Sequence, residues 1–195
     1  MSTNSLVAIL NKDNTVTSSY VHYDGYTTGV GEILLENYNS EELARELATT
    51  LGYASSLSET VAKSHEGRAN SDEPEVYEDY HEFEEHIREC TYLEYVYVWD
   101  CHFDKWVVAS WENIKKKVHN GMCFDYEFES HWNGFEDLLV VYVREGRATV
   151  RRYREMVREA KVGDEYLDYA SELETLVSKW HGIGMEEVAR EALAA

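Results

Sequence analysis

The chain has 195 residues, 38 of them acidic and 18 basic, for a formal charge of −20. Such a field repels nucleic acid and anionic membrane and attracts basic protein surfaces, so direct nucleic-acid binding and membrane association are excluded from the expectations. Aromatics at 13% and hydrophobics at 44% describe a chain that builds a core rather than a disordered acidic tail.

The first predicted element is a hairpin. Leu6–Leu10 is a short apolar run, Asn11–Asn14 is turn chemistry, and Thr15–Tyr23 is rich in β-branched and aromatic residues. Gly25, Gly29 and Gly31 then punctuate a loop. Two helices are predicted next, over 31–38 and from an Asn39 cap onward. In the second, Leu43, Leu47 and Leu51 recur at helical spacing before Gly52 stops it. Residues 62–74 read as a loop closed by Pro74, the chain's single proline.

Acid is concentrated between Glu66 and Glu94, where eleven carboxylates face two arginines, a net −9. The spacing of Val76, Tyr80, Phe83, Ile87 and Cys90 predicts a helix from Glu75 to about Cys90. On that reading Glu75, Glu78, Asp79, Glu82, Glu85 and Glu89 form the solvent face, with Tyr77 as an anchoring aromatic. A second hairpin is predicted from Tyr92–Trp99 and Lys105–Ala109 around a turn at 100–104.

The remainder reads as mainly helical. Ser110 caps a predicted helix through Val118. Residues 136–160 form one long helix or a strand followed by a helix, and further helices are predicted over 164–180 and 185–194. Residues 1–110 carry a net −15 and residues 111–195 a net −5. The expected fold class is therefore α+β. A small antiparallel sheet with helices occupies 1–110, and a helical region occupies 111–195, packed with the first part or separate from it.

Three patterns bear on chemistry. His22 and Asp24 are two apart, so a strand would place an imidazole beside a carboxylate. Gly29 and Gly31 lead toward a helix and offer a ligand loop for a phosphate. The third glycine of a dinucleotide fingerprint is replaced by Leu34, and Glu32 opposes an anion. Glu78 and His81 make a single Glu-x-x-His unit without a second copy, and Cys90, Cys101 and Cys123 match no zinc spacing. No metal, cofactor or catalytic residue is expected from these patterns, and activity as an enzyme is the lesser expectation. The odd cysteine count and the lack of a leader or an apolar spanning run suggest a reduced, cytoplasmic protein.

The segment from Tyr20 through Gly31, with His22, Asp24-Gly25-Tyr26 and Gly29-Val30-Gly31, is followed by Leu34-Leu35 and Tyr38. It resembles an uncharacterised family of phage and prophage proteins, in which a strand leads to Tyr-x-His-x-Asp-Gly-Tyr, a Gly-x-Gly turn and a Leu-Leu-x-x-Tyr helix. The likeness extends through Ser55-Ser56-Leu57, resumes at Tyr95–Trp99 and Trp106, and covers about the first 110 residues. Tyr23 stands where the family often has Trp, and the acidic stretch and helical tail are departures. The resemblance implies a phage or mobile-element origin and brings no established activity. The expectation is a phage-encoded acidic protein acting in the host cytoplasm. It would inhibit a basic host protein, a nucleic-acid-binding defence factor being the leading case, by presenting charge as nucleic acid does. The alternatives are a small enzyme or nucleotide-binding protein using the glycine loop, and a structural homo-oligomer.

Overall fold

The computed structural model describes residues 3–64, 72–90, 92–110, 117–120, 123–126, 135–159, 162–163 and 165–194. They fall into two compact units, Met1–Asp137 and Leu138–Ala195.

The first unit is built on a mixed sheet. Strands β1 (Ser5–Leu10) and β2 (Val16–Val21) form the expected hairpin. A wide helical turn at Thr27–Gly31 leads into α1 (Glu32–Asn37), and α2 (Glu41–Thr50) follows. Then come β3 (Tyr53–Ala54), α3 (Val61–Ser64), β4 (Glu75–Tyr77) and α4 (Tyr80–Glu89). Strands β5 (Tyr95–Asp100) and β6 (Lys105–Ser110) make the second hairpin. Strands β7 (Lys117–Asn120) and β8 (Cys123–Tyr126) pair only with each other, and β9 (Glu136–Asp137) returns to β6. The order is β3-β2-β1-β5-β6-β9, with β4 also on β2.

The α+β class stands. The sheet, however, is not purely antiparallel, because β1 and β5 lie side by side in parallel, Ser5 opposite Tyr95. That pairing joins the two hairpins into one sheet and explains why both strands are buried up to their last residues, Leu10 and Asp100. Alternation sends Val7, Ile9, Ser19, Tyr97 and Trp106 to one face. There α1 and α2 cover them, with Trp106 Nε1 donating to the Tyr38 carbonyl at 3.0 Å and Ser19 Oγ to the Ala48 carbonyl at 3.0 Å. Leu6, Ala8, Val96 and Val98 point to the opposite face and pack with Phe83 and Ile87 of α4, with Tyr77 and with Leu93.

Several predicted boundaries move. The cap of α2 is Ser40, whose hydroxyl accepts from the Leu43 amide at 3.4 Å, rather than Asn39. Leu43 is exposed, and the buried stripe is Ala44, Leu47, Ala48 and Leu51. Residues 75–77 are a strand rather than the first helical turn, because they pair with Val16–Ser18 of β2. The helix through Val118 expected from Ser110 is replaced at 117–118 by β7; residues 111–116 lie outside the described ones, as do 65–71 of the expected loop.

The second unit holds α5 (Leu138–Arg158) and α6 (Glu165–Ala194). The apolar run at 138–143 is helical. α6 continues through 181–184, where two helices were expected. Gly146 lies against Val177 and Tyr153 meets Tyr166, so the helices run antiparallel. The division falls at Asp137 rather than near residue 110, since β9 belongs to the sheet.

Candidate functional site

The acidic stretch is assembled around α4. Asp79 caps the helix, its Oδ1 accepting from the Glu82 amide at 2.9 Å. Glu82 Oε2 accepts in return from the Glu78 amide at 2.7 Å, a reciprocal capping box. Together the two carboxylates fix where the helix begins. Phe83 and Ile87 bury one side, and Glu82, Glu85 and Glu89 stand exposed on the other. The helix's one arginine, Arg88, pairs with Glu84 at 2.9 Å, and His81 lies 3.6 Å from Glu85. Asp72, Glu73, Glu75 and Glu78 extend the exposed acid ahead of the helix.

Two expected members sit differently. Tyr77 is 5% exposed, its ring against Phe83 in the core, so it is not an exposed anchor. Its hydroxyl donates to Glu75 Oε2 at 2.6 Å, and burial together with that carboxylate raises its pKa. Glu75 lies on β4, not on the helix, and points its carboxylate toward the C-terminal turn of α4, 3.5 Å from His86 Nε2.

Spacing along the sequence did not single out what gathers there. His86 Nε2 lies 3.3 Å from Cys90 Sγ, and Cys90 Sγ contacts the Tyr92 hydroxyl at 3.5 Å. The set Glu75, His86 and Cys90 has the composition of a nucleophilic triad without its geometry. Both neighbours approach the same imidazole nitrogen, whereas a relay needs one on each. Burial pushes the Cys90 thiol up, away from the nucleophilic thiolate. Among the described residues no group of three His, Cys, Asp or Glu side chains is arranged to hold a metal ion.

Beside this cluster opens a cleft of about 370 Å³. Tyr20, Tyr53 and Tyr92 wall it, with Tyr20 ring centroids 5.3 Å from Tyr53 and 5.9 Å from Tyr92. Asp72, Glu73 and Glu75 stand at its rim. The rim comes close because of Gly52. At φ +62°, a Cβ there would lie 1.5 Å from the Asp72 carbonyl oxygen. A second cavity, about 490 Å³, lies at the other end of α4, between Tyr80, Phe103 and Phe135.

The glycine loop is closed by its own backbone. Its amides are already donated within the loop: Gly29 N to the Tyr26 carbonyl at 3.0 Å, Val30 N to the Asp24 carbonyl at 2.8 Å, and Gly31 N to the Tyr26 carbonyl at 3.5 Å. A Cβ on Gly29 would lie 2.3 Å from the Asp24 carbonyl oxygen, so that glycine serves a close backbone approach. Asp24 adopts φ 59° and accepts from the Tyr26 hydroxyl at 3.3 Å, while His22 Nδ1 faces the Tyr20 hydroxyl at 3.2 Å. The left-handed turn at Asp24 takes it off the strand that was to align it with His22.

The arginines of α5 belong to the second unit, and there Arg154 makes a two-pronged pair with Glu174 at 3.2 and 2.6 Å. No helix among the described residues is long and apolar enough to cross a membrane. No family model, no curated protein and no solved structure matches the chain.

Proposed function

We propose that this chain is an acidic interaction module that engages a basic, nucleic-acid-binding protein and blocks the surface it uses. The observation that carries the reading is the exposed row Glu82, Glu85 and Glu89 on a helix anchored by Phe83 and Ile87, with Asp72, Glu73, Glu75 and Glu78 beside it. A rigid scaffold holds the charges without ordering cost at the moment of binding. At a rise of about 1.5 Å per residue, Glu82 and Glu89 stand about 10 Å apart along the axis, one charge per roughly 5 Å. One DNA strand carries a charge about every 3.4 Å. The row is sparser than a phosphate backbone, which favours general charge complementarity over an imitation of DNA spacing. We take the target to be a bacterial host protein, a choice that follows the resemblance of the first 110 or so residues to phage and prophage proteins. The glycine-loop alternative gains no observation, since its amides are engaged.

The test is capture of a stoichiometric partner from bacterial lysate, eluted by salt. The double reversal Glu85→Lys with Glu89→Lys spares the capping box and should abolish capture. Undiminished capture by that variant contradicts the reading.

A further inference from the structure

We infer that the cleft walled by Tyr20, Tyr53 and Tyr92 is a receptor for an organic cation, the ammonium or guanidinium end of a lysine or arginine side chain on the partner. The inference rests on the proposed function and supplies its point of specificity.

Three observations converge. The walls are aromatic and mutually inclined: Tyr20 and Tyr53 at 43° with centroids 5.3 Å apart, Tyr20 and Tyr92 at 71° and 5.9 Å. Ring faces carry negative potential, and a cation within about 6 Å of them is attracted, more strongly as water is excluded. The rim is negative, with Asp72, Glu73 and Glu75, and none of the described residues lining the cleft is a lysine or arginine. The size suits the task, because about 370 Å³ admits one long side chain and excludes a folded element. A neutral apolar ligand would fill the space but give Asp72 and Glu73 at the rim nothing to engage. An anion would be repelled by them.

The floor explains the precision of the walls. Tyr20 projects from β2 on the same face as Leu6, and Tyr53 is its partner in register on β3. Tyr92 is held by its contact with Cys90, which keeps its phenol protonated well beyond the usual range. Cys90 therefore acts through its contact with Tyr92 rather than as a reacting group.

The experiment is an NMR titration of the full chain with N-acetyl-arginine amide and N-acetyl-lysine amide, with neutral N-acetyl-norleucine amide as the isostere and choline as the free cation. The inference predicts shifts at Tyr20, Tyr53 and Tyr92 for the two cationic amides and none for norleucine. Tyr53→Leu should weaken cation binding by roughly twofold to thirtyfold, the range one ring supplies. Glu73→Gln, an exposed change that leaves the walls intact, should weaken it too. Shifts elsewhere only, equal binding of norleucine, or indifference to both substitutions would overturn the inference. Choline binding more tightly than both amides would also overturn it, assigning the cleft to free quaternary ammonium. The Glu85→Lys, Glu89→Lys variant separates this result from the function. Amide binding that survives in it while lysate capture is lost supports both readings. Lysate capture that depends on α4, with no amide binding, removes the cleft alone.

Discussion

Tyr38 is buried and donates its hydroxyl to the Ser58 carbonyl at 2.9 Å, with its own carbonyl taken by Trp106. Burial pushes its pKa up to about 12, and burial with the nearby carboxylates of Glu84 and Asp100 does the same for Tyr80. The unfolded chain releases these protons near the ordinary value of 10, before the folded one does. Stability is therefore fully present below pH 10 and is lost as pH rises toward 12. An alkaline titration should show part of the tyrosinate absorbance delayed and appearing together with loss of ellipticity. Complete tyrosinate formation near pH 10 in a folded chain would contradict this. Gly52 is the other residue on which much depends. Gly52→Ala should cost about 1–2 kcal/mol for the left-handed backbone alone, with more from the approach of Asp72, and should lower the melting temperature. The same change moves the acidic rim, so it should also weaken cation binding at the cleft; an unchanged melting temperature would refute the close contact.

At the scale of elements, α4 depends on its first turn. Asp79→Ala removes the bond to the Glu82 amide and should destabilise the protein by about 1 kcal/mol, read from chemical denaturation, with Asp79→Asn recovering most of the loss. No measurable change would mean that the helix start is held by packing of Phe83 alone. The sequence carries Asp-x-x-Glu at 79–82, a capping signature that the helix expected from Glu75 passed over, and it marks the true start. The apolar rhythm from Val76 onward ran through it because Val76 continues the period while standing 72% exposed on a strand. What places β4 is its pairing with β2, residues far away in the chain, and that information is not local. The same holds for the sheet. Both hairpins were legible from alternation and turn chemistry, whereas the parallel contact of β1 with β5 joins segments separated by about 85 residues and leaves no periodic trace. α6 runs on through Gly182 because glycine weakens a helix without forbidding it. The cleft was illegible for the same reason as the sheet order. Tyr20, Tyr53 and Tyr92 come from β2, β3 and the turn after α4, and only the fold makes them neighbours. Of the interaction residues, Glu78, Glu82, Glu85 and Glu89 are exposed as expected, and Tyr77 is not, because strand pairing turns it inward.

For the whole molecule the central quantity is the field. A charge of −20 concentrated toward the first unit attracts basic surfaces over about a Debye length and accelerates encounter at low salt. The cleft then discriminates among basic surfaces by asking for one long cationic side chain in a defined place. The helical second unit is stabilised within itself by the Arg154–Glu174 pair and by the Tyr153–Tyr166 contact, and its milder charge gives it no comparable role in attraction. The most direct measurement is the association rate of the captured partner with the wild-type chain and with the Glu85→Lys, Glu89→Lys variant, from about 50 to 200 mM salt, a span over which screening of exposed charges grows substantially. The account predicts a wild-type rate that falls steeply with salt and a variant that is at least about tenfold slower at the low end, with little salt dependence left. Equal rates with equal salt dependence for the two proteins would contradict the claim that the α4 face is the interaction surface.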